Sequence, residues 1–301
     1  MNKSNLLITG SSGFVGRNLS PYLAKRGGIV LPLSLRGDWE KKFPQQYDAI
    51  IHLAGKAHDT TNTEKADEYF QVNTELTKKL FDLFLQSSAR DFIYFSSVKA
   101  VADKVDGVLK EEVIPDPKTP YGQSKLKAEK YLLSKSLSTG KRLFILRPCM
   151  IHGPENKGNL NLLYKIVAKG IPWPLAAFEN NRSFLSIDNL GYIITAILEN
   201  ETVPSGIYQV ADDEALSTNE LVTLIAETIG KKPKLWHIPQ HLIRVLATVG
   251  DVFHFPLNSE RLKKLTESYV ISNQKVKNGL GIQTLPVSSR DGLVKTIKSF
   301  R

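Results

Sequence analysis

Apolar residues follow two periodicities in the first half of the chain. Short apolar runs that predict β-strands lie at residues 6–9, 29–35, 49–54, 92–96 and 143–147. Amphipathic stretches with apolar positions at helical spacing lie at residues 12–25, 66–87 and 121–136. Strands that alternate with helices in this way predict an α/β fold, a doubly wound parallel sheet with helices on both faces.

The interval between the second and third strands is short. Only about thirteen residues separate them, fewer than a crossover helix and its connections normally need. We therefore expect a reduced unit here, with one helix missing or shortened.

The second half of the chain has a different pattern. Residues 153–182 are rich in glycine, proline and asparagine, Asp188 is placed to cap a helix ending near Glu199, and residues 206–211 predict a strand that returns to the sheet. Ser217 and Glu220 have the spacing of a capping box. We expect a dinucleotide-binding domain at residues 1–152, rejoined by 183–212. Residues 153–182 and 213–301 would form a smaller, mostly helical C-terminal substrate domain.

One apolar stretch has two interpretations. Residues 242–255 are predominantly apolar and carry Arg244, Asp251 and His254. They either pack in the core or in a lid, which we favour, or touch a membrane surface. No window offers enough consecutive apolar residues for a transmembrane helix, so we expect no integral membrane segment.

The composition, 42% hydrophobic and 23% charged, is that of a globular protein. Cys149 is the only cysteine, which excludes an intrachain disulfide and indicates a reducing compartment. Because the apolar stretch near the N-terminus is too short for a signal peptide, we expect a cytoplasmic protein. The net charge of +10 suits an anionic partner, but the basic residues are scattered without a long run, so we favour an ordinary solvated surface as the explanation. No basic and aromatic binding motif is present, so we expect no nucleic-acid partner, and we expect no metal centre.

A glycine motif follows the first strand. Residues 10–16 read Gly-Ser-Ser-Gly-Phe-Val-Gly and lead into a predicted helix. Gly10 allows a tight turn, Gly13 lets a pyrophosphate approach the backbone, and Gly16 permits close packing of helix on strand. The helix N-terminus adds N–H donors and the positive end of its dipole. Together with the parallel sheet, the motif is typical of a Rossmann-type dinucleotide-binding fold.

A tyrosine and a lysine stand four residues apart near the start of a predicted helix. Tyr121 and Lys125 share one helix face, where the ammonium favours the phenolate. Tyr121 can then act as a general acid or base at a substrate hydroxyl or carbonyl. Ser97, at a strand end about 24 residues upstream, can hydrogen bond with the same substrate oxygen. We predict these three as the catalytic residues.

The order and spacing of these motifs resemble the extended short-chain dehydrogenase/reductase family, which includes the NAD-dependent epimerases and dehydratases. The resemblance continues through residues 51–55, 72–73, 147–148 and 151–154 and covers nearly the whole chain. It implies a nicotinamide cofactor and a nucleotide-sugar substrate. The residues that it places at the cofactor are Gly10, Ser12, Gly13, Phe14, Val15, Gly16, Arg36, Leu53, Ala54, Gly55, Asn73, Tyr121, Lys125 and Pro148.

The end of the second strand bears on the choice of cofactor. An acidic residue there would accept the ribose hydroxyls of NAD, but the corresponding position is Ser34, and Arg36 follows. Since an arginine can pair with a 2′-phosphate, we favour NADP(H). The alternative is NAD(H), with Asp38 in the acidic role or Arg36 simply exposed.

The residues after Ser97 bear on the reaction. Family members that are 4,6-dehydratases carry an Asp-Glu pair there, whereas this chain has Val98 and Lys99. The Ser-Ser-Val-Lys string resembles bacterial reductases that convert a UDP-4-keto-6-deoxy-N-acetylhexosamine to UDP-N-acetylquinovosamine or its C4 epimer for surface glycans. We favour this NADPH-dependent reduction. The alternatives are a UDP-sugar 4-epimerase of the UDP-GlcNAc or UDP-Glc type with tightly bound NAD, and a non-enzymatic cofactor-binding protein, against which the Tyr/Lys pair argues.

The resemblance also places four residues at the UDP-sugar: Lys99, Asn159, Arg182 and Arg261. Two arginines that converge on a diphosphate make chemical sense. Lys99 either holds a substrate carbonyl or phosphate or points to solvent. The alternative for each arginine is that it is simply an exposed surface charge, and this alternative is stronger for Arg261 than for Arg182. The resemblance further implies a homodimer formed through helices 66–87 and 121–136.

Overall fold

The structure is a computed structural model that describes residues 4–56, 66–156, 158–253 and 258–300. Its strands are β1 (Ser4–Thr9), β2 (Gly28–Leu33), β3 (Ala49–His52), β4 (Asp91–Phe95), β5 (Val108–Leu109), β6 (Arg142–Pro148), β7 (Met150–His152), β8 (Phe184–Ser186), β9 (Gly206–Val210) and β10 (Val270–Ile271). Its α-helices are α1 (Phe14–Lys25), α2 (Ala66–Tyr69), α3 (Leu76–Gln86), α4 (Pro120–Leu133), α5 (Asn159–Ala168), α6 (Ile187–Glu199), α7 (Thr218–Thr228), α8 (Gln240–Phe253), α9 (Ser259–Thr266), α10 (Gln274–Leu280) and α11 (Ser289–Lys298).

Six strands form one parallel sheet in the order β2-β1-β3-β4-β6-β9. The predicted α/β class, a Rossmann-type parallel sheet, is confirmed. From β1 the chain adds β2 on one side and the other four strands of this sheet on the other side, so the strand order reverses between β1 and β3. In open sheets of this kind, ligands bind beyond the carboxyl ends of the strands at such a switch point.

Both faces of the sheet are buried under helices. Because successive residues of each strand point to opposite sides, each strand contributes to the cores on both faces. Leu6 and Ile8 belong to a core cluster that includes residues of α1 and α6. Leu7, between them, belongs to a second cluster that includes residues of α3 and α4. This accounts for the nearly continuous apolar runs in the sequence.

The connection between β2 and β3 is reduced, as predicted. A 3₁₀ turn, Trp39–Lys42, replaces the crossover helix, and the buried Trp39 fills the space. The helix expected over residues 66–87 differs from the prediction, because a π-helical turn, Phe70–Glu75, separates α2 from α3. Such turns occur frequently at functional sites.

The predicted cap of α6 was wrong. The cap is Ser186, whose backbone is extended at the end of β8 and whose Oγ accepts a hydrogen bond from the N–H of Asn189 at 3.2 Å. Asp188 lies inside the first turn and pairs with Lys295 at 2.7 Å. The capping box of Ser217 and Glu220 is present as predicted.

Helix α5 and four of the helices after β9 pack around an apolar cluster of their own. It draws residues from α5, α7, α8, α9 and α11, including Leu163, Ile225, Ile243, Leu262 and Leu293. Among the described residues, no helix combines the length and apolar character needed to cross a membrane.

Candidate active site

The glycine turn after β1 is held in a conformation that only glycine fits well. Gly10 has a φ of +71°, and a Cβ there would lie 2.6 Å from the backbone nitrogen of Ala54. A Cβ on Gly16 would lie 2.4 Å from the Cα of Ser11. The turn is therefore pressed against both the β3 exit and the first turn of α1.

The outer side of the same turn is open. A Cβ on Gly13 would meet only the Gly10 carbonyl oxygen, at 3.3 Å. Gly13 caps α1 without a side-chain hydrogen bond, so the first N–H groups of the helix are left for a ligand. Ser12 is exposed beside them, and Phe14 and Val15 are half-buried. This cradle fits the diphosphate of a dinucleotide cofactor.

The segment after β3 joins the glycine turn to the centre of the site. Leu53 and Ala54 lie against Gly10. A Cβ on Gly55 would lie 3.0 Å from Asn73 Oδ1 and 3.1 Å from Lys125 Nζ. The structure thus brings together residues that are far apart in the sequence, at the switch point of the sheet.

Asn73 lies in the π-helical turn and is fully buried. Its Oδ1 accepts a hydrogen bond from the N–H of Lys56 at 2.7 Å, and its Nδ2 donates to Ser124 Oγ at 3.0 Å. Asn73 therefore links the segment after β3 to α4, the helix that carries the Tyr/Lys pair.

The three predicted catalytic residues meet at the carboxyl end of β4. Helix α4 begins at Pro120, behind the cap Thr119, and presents Tyr121 beside Ser97. Burial raises the pKa of Tyr121, while its hydrogen bond with Ser97 lowers it in part. Ser97 Oγ also accepts a hydrogen bond from the N–H of Lys99 at 3.2 Å, which fixes the turn that follows.

Lys125 is almost fully buried under this pair. Its Nζ donates to the Phe95 carbonyl oxygen at 2.7 Å and lies 5.0 Å from the centre of the Tyr94 ring. Burial lowers the pKa of Lys125 to about 8, against the opposing effect of the Glu129 carboxylate. At neutral pH, Lys125 is thus mainly in its charged ammonium form although it is buried.

His52 has a structural role at the same edge. Its Nδ1 and the Thr9 hydroxyl are 2.6 Å apart, and its Nε2 and the Thr77 hydroxyl are 2.9 Å apart. Burial lowers the pKa of His52 to about 3, and the nearby charge of Lys125 contributes to this shift. The ring is therefore neutral. The ring ties β1 and β3 to α3.

The residues that bear on cofactor choice lie beyond the carboxyl end of β2. Thr9 of β1 pairs with Leu33 of β2, so the residues after Leu33 leave the sheet at the same edge as the glycine turn. Ser34 and Arg36 are both exposed there. The Asp38 carboxylate forms an exposed ion pair with Lys41 at 2.8 Å.

Two of the predicted substrate residues come together near Ser97. Lys99 Nζ donates to the Asp103 carbonyl oxygen at 2.9 Å and lies 4.1 Å from the centre of the Tyr269 ring. Burial is the main cause that lowers the pKa of Lys99, and the charge of Arg182 contributes. Arg182 Nε donates to the Glu267 carbonyl oxygen at 3.1 Å, and its Nη2 donates to the Lys264 carbonyl oxygen. Lys99 is therefore half-buried and does not simply extend into solvent.

The other two predicted substrate residues are exposed. Asn159 is the first residue of α5, and Arg261 lies in the first turn of α9. Because Arg182 binds carbonyl oxygens at the end of α9, the helix that carries Arg261 is attached to the cluster of Lys99 and Arg182.

The NAD dependent epimerase/dehydratase family model matches residues 6–211, which include the glycine turn, the π-helical turn and the Ser/Tyr/Lys group. The chain belongs to this family. It is accordingly an NAD(P)-dependent enzyme of the epimerase/dehydratase family.

Relatives within the family carry out different reactions. The chain is 28% identical to a UDP-glucose 4-epimerase of Vibrio cholerae, over 98% of this chain and 95% of that one. It is also 28% identical to a UDP-2-acetamido-2,6-beta-L-arabino-hexul-4-ose reductase of Pseudomonas aeruginosa, over 76% of this chain and 59% of that one. The structure of RMD from Pseudomonas aeruginosa complexed with NADPH superposes with a TM-score of 0.75 at 21% identity, over 99% of each chain. The fold is therefore that of the family.

Two tyrosines of this epimerase/dehydratase site were not predicted from the sequence. Tyr69 packs edge-to-face on Tyr121, with ring centroids 6.0 Å apart. The Tyr269 hydroxyl donates to the Ala102 carbonyl oxygen at 2.7 Å and is close to that of Val98, so it supports the turn after Ser97. Neither tyrosine is part of a local motif, and only the fold brings them to the site.

Proposed function

We propose that this enzyme uses NADPH to reduce the C4 carbonyl of a UDP-4-keto-6-deoxy-N-acetylhexosamine, and so supplies a deoxy-amino sugar for surface glycans. The product is UDP-N-acetylquinovosamine or its C4 epimer. The observation that carries the proposal is the contact of Ser97 with Tyr121 above the buried Lys125. Val98 and Lys99 follow Ser97, where a dehydratase would need its acid and base.

Each of the three residues has a distinct task in this proposal. The Tyr121 hydroxyl donates a proton to the C4 oxygen, and the Ser97 hydroxyl orients that oxygen. Lys125, charged below a pKa of about 8, stabilises the phenolate that remains on Tyr121. The bound dinucleotide supplies the hydride.

The cations near Ser97 suit the anionic part of the substrate. Lys99 lies close enough to Arg182 for the guanidinium charge to help lower the pKa of Lys99, and Arg182 is anchored at the end of α9. We assign Lys99, Arg182 and Arg261 to the diphosphate, and Asn159 to the nucleotide, because cations with several N–H donors match phosphate oxygens. Lys99 is also near enough to Ser97 to contact the sugar.

The choice of NADPH is supported by Arg36. It is exposed beyond β2 at the edge where the glycine turn lies, and no carboxylate occupies the position of Ser34. An arginine there is suited to a 2′-phosphate. The second candidate function is a UDP-sugar 4-epimerase with tightly bound NAD, which the similarity to the Vibrio cholerae epimerase favours.

The two functions are separated by one pair of assays. In the first, NADPH oxidation is followed with enzymatically generated UDP-4-keto-6-deoxy-N-acetylglucosamine, with Tyr121→Phe as the control. Substrate-dependent oxidation that the variant loses supports the reductase, and NMR of the product then gives its C4 configuration. In the second, bound cofactor is extracted from the purified protein. Stoichiometric NAD, interconversion of UDP-GlcNAc and UDP-GalNAc, and no oxidation of NADPH would replace the proposal with the epimerase.

A further inference from the structure

Helix α8 carries two apolar stripes, and only one of them is used by the fold. Ile243 and Ala247 are buried in the C-terminal cluster. The second stripe is exposed and consists of Leu242, Val245, Leu246, Val249 and Phe253. Its members follow the spacing of one helix face, so they form a continuous strip along the helix. The packing expected for residues 242–255 is thus present on one side of α8 only, and residues 254 and 255 lie outside the described part of the chain.

The exposed stripe contains large side chains with high exposure. Val245 is 61% exposed, Leu246 56% and Phe253 65%. Trp236, shortly before the helix, is 56% exposed. Scattered exposed apolar residues are normal, but a contiguous strip along one helix face that ends in an aromatic residue is typical of an interaction surface. We define the α8 surface as these five stripe residues together with Trp236.

The chain around the α8 surface is strongly basic. Residues 231–266 contain seven lysines and arginines and two acidic residues. Their net charge of +5 is half of the net charge of the chain, +10. Both acidic groups have partners: Asp251 accepts hydrogen bonds from the N–H and Oγ of Ser259, and Glu260 pairs with Lys264 at 2.6 Å. The pKa of Lys263 is lowered first by its contact with Lys104, so a second lysine lies beside α9, where the Glu267 carboxylate is 4.0 Å from Lys104 Nζ.

We propose that the α8 surface binds an anionic lipid membrane, with α8 lying in the plane of the interface. Apolar side chains and a tryptophan would enter the headgroup region while the flanking cations meet anionic lipid headgroups. A second copy of the chain is a poorer occupant, since it would bring two equally basic surfaces face to face. The binding is peripheral, because none of the described helices is suited to span a bilayer.

The location of this surface connects it to the substrate side of the site. Helix α8 packs against α9, and Arg182 holds the carbonyl oxygens of Lys264 and Glu267 at the end of α9. A membrane bound at α8 would thus lie near the residues that we assign to the substrate diphosphate. The binding itself does not depend on the proposed reduction.

The test uses the full chain and sedimentation with vesicles of phosphatidylcholine, with and without phosphatidylglycerol. We expect binding that requires phosphatidylglycerol and weakens as salt is raised. The double variant Leu246→Gln/Phe253→Gln should bind at least about tenfold more weakly. The matched control is Val108→Gln/Ile114→Gln, which removes two exposed apolar side chains elsewhere and should bind like the parent chain. Circular dichroism establishes that both variants are folded.

The charge contribution is tested separately with Lys231→Gln/Lys232→Gln, which should reduce binding to the anionic vesicles while leaving the helix surface intact.

Failure of the parent chain to sediment with phosphatidylglycerol vesicles would overturn the proposal, as would equal binding by the α8 variant. Light scattering provides a further check. A variant that separates a dimer into monomers, without vesicle binding by the parent, would assign the surface to a second copy. Turnover of a water-soluble nucleotide sugar, measured in parallel, reports on the proposed function independently.

Discussion

Glu129 and Arg147 form a two-pronged ion pair that is almost completely buried beneath the candidate active site. Arg147 Nε donates to Glu129 Oε1 at 3.0 Å, and its Nη2 donates to Oε2 at 2.5 Å. The same carboxylate accepts a hydrogen bond from Ser96, and it lies one helical turn after Lys125. The pair therefore joins α4 to β6 and supplies negative charge near the Lys125 ammonium.

Removing one partner of this pair should destabilise the protein strongly. We expect Glu129→Gln to lower the free energy of unfolding by about 3 kcal/mol, because it leaves the buried Arg147 guanidinium without a counter-charge. Urea denaturation at neutral pH measures the change. Replacing both partners, as in Glu129→Leu/Arg147→Met, should recover most of the loss. A single variant as stable as the parent chain would show that the buried charge is compensated in another way.

Ser96 and Ser97 form a matched pair for mutation, because their hydroxyl groups have different partners. Ser97 is hydrogen bonded to Tyr121 and Ser96 to Glu129. Since the Ser97 contact lowers the pKa of Tyr121, Ser97→Ala should raise that pKa and move the alkaline loss of reductase activity to higher pH. It should also reduce kcat by at least about tenfold. Steady-state kinetics across pH measures both effects.

The control Ser96→Ala should change stability and leave the pH profile in place. It removes a hydrogen bond to a buried charged group, which we expect to cost about 2 kcal/mol in urea denaturation. If Ser96→Ala shifted the pH profile as much as Ser97→Ala did, the assignment of Ser97 as the direct partner of Tyr121 would have to be abandoned.

The buried Lys125 makes stability depend on pH in a specific direction. Its pKa in the folded protein is about 8, below the value of 10.5 for an unburied lysine. The unfolded chain therefore binds more protons between these values, so Lys125 destabilises the fold at neutral pH and this cost disappears as pH rises from 8 to 10.5. Relative to Lys125→Met, the parent chain should gain on the order of 3 kcal/mol across this interval.

Denaturant unfolding of the two proteins at several pH values measures this difference. Other groups titrate in the same range, but they are common to both proteins and cancel in the comparison. A difference that stays constant through the interval would mean that Lys125 has an ordinary pKa in the folded state.

The parts of the site that were predicted from sequence are those encoded by local patterns. The turn at Gly10 could be predicted because its positive φ and its approach to Ala54 restrict it to glycine. The spacing of Tyr121 and Lys125 follows directly from the helical repeat. The π-helical turn at Asn73 could not be predicted, because its residues have ordinary helical periodicity and its hydrogen bonds depend on Lys56 and Ser124.

The missed contacts share a physical cause. Glu129 and Arg147 belong to different elements, and nothing in either segment shows that their charges are buried together. Tyr269 reaches Ala102 because β10 pairs with β5 and the Tyr269 backbone bonds with Asn181 and Ser183, which brings distant segments side by side. The cap of α6 was misplaced because Ser186, also of a good capping type, ends the short strand β8, which the sequence analysis did not predict.

The position of Arg36 predicts how the enzyme distinguishes its two cofactors. An exposed arginine beyond β2 can pair with the 2′-phosphate of NADPH, which NADH lacks. We expect Arg36→Ala to raise the KM for NADPH by about tenfold and to leave the KM for NADH nearly unchanged, because a charged hydrogen bond at an exposed site contributes about that much. Asp38→Ala is the matched control: its carboxylate already pairs with Lys41, so neither KM should change. The opposite pattern, with no effect of Arg36→Ala and a raised KM for NADH in Asp38→Ala, would place the ribose hydroxyls on Asp38. The recycling of NAD by an epimerase would then be the better account of the site.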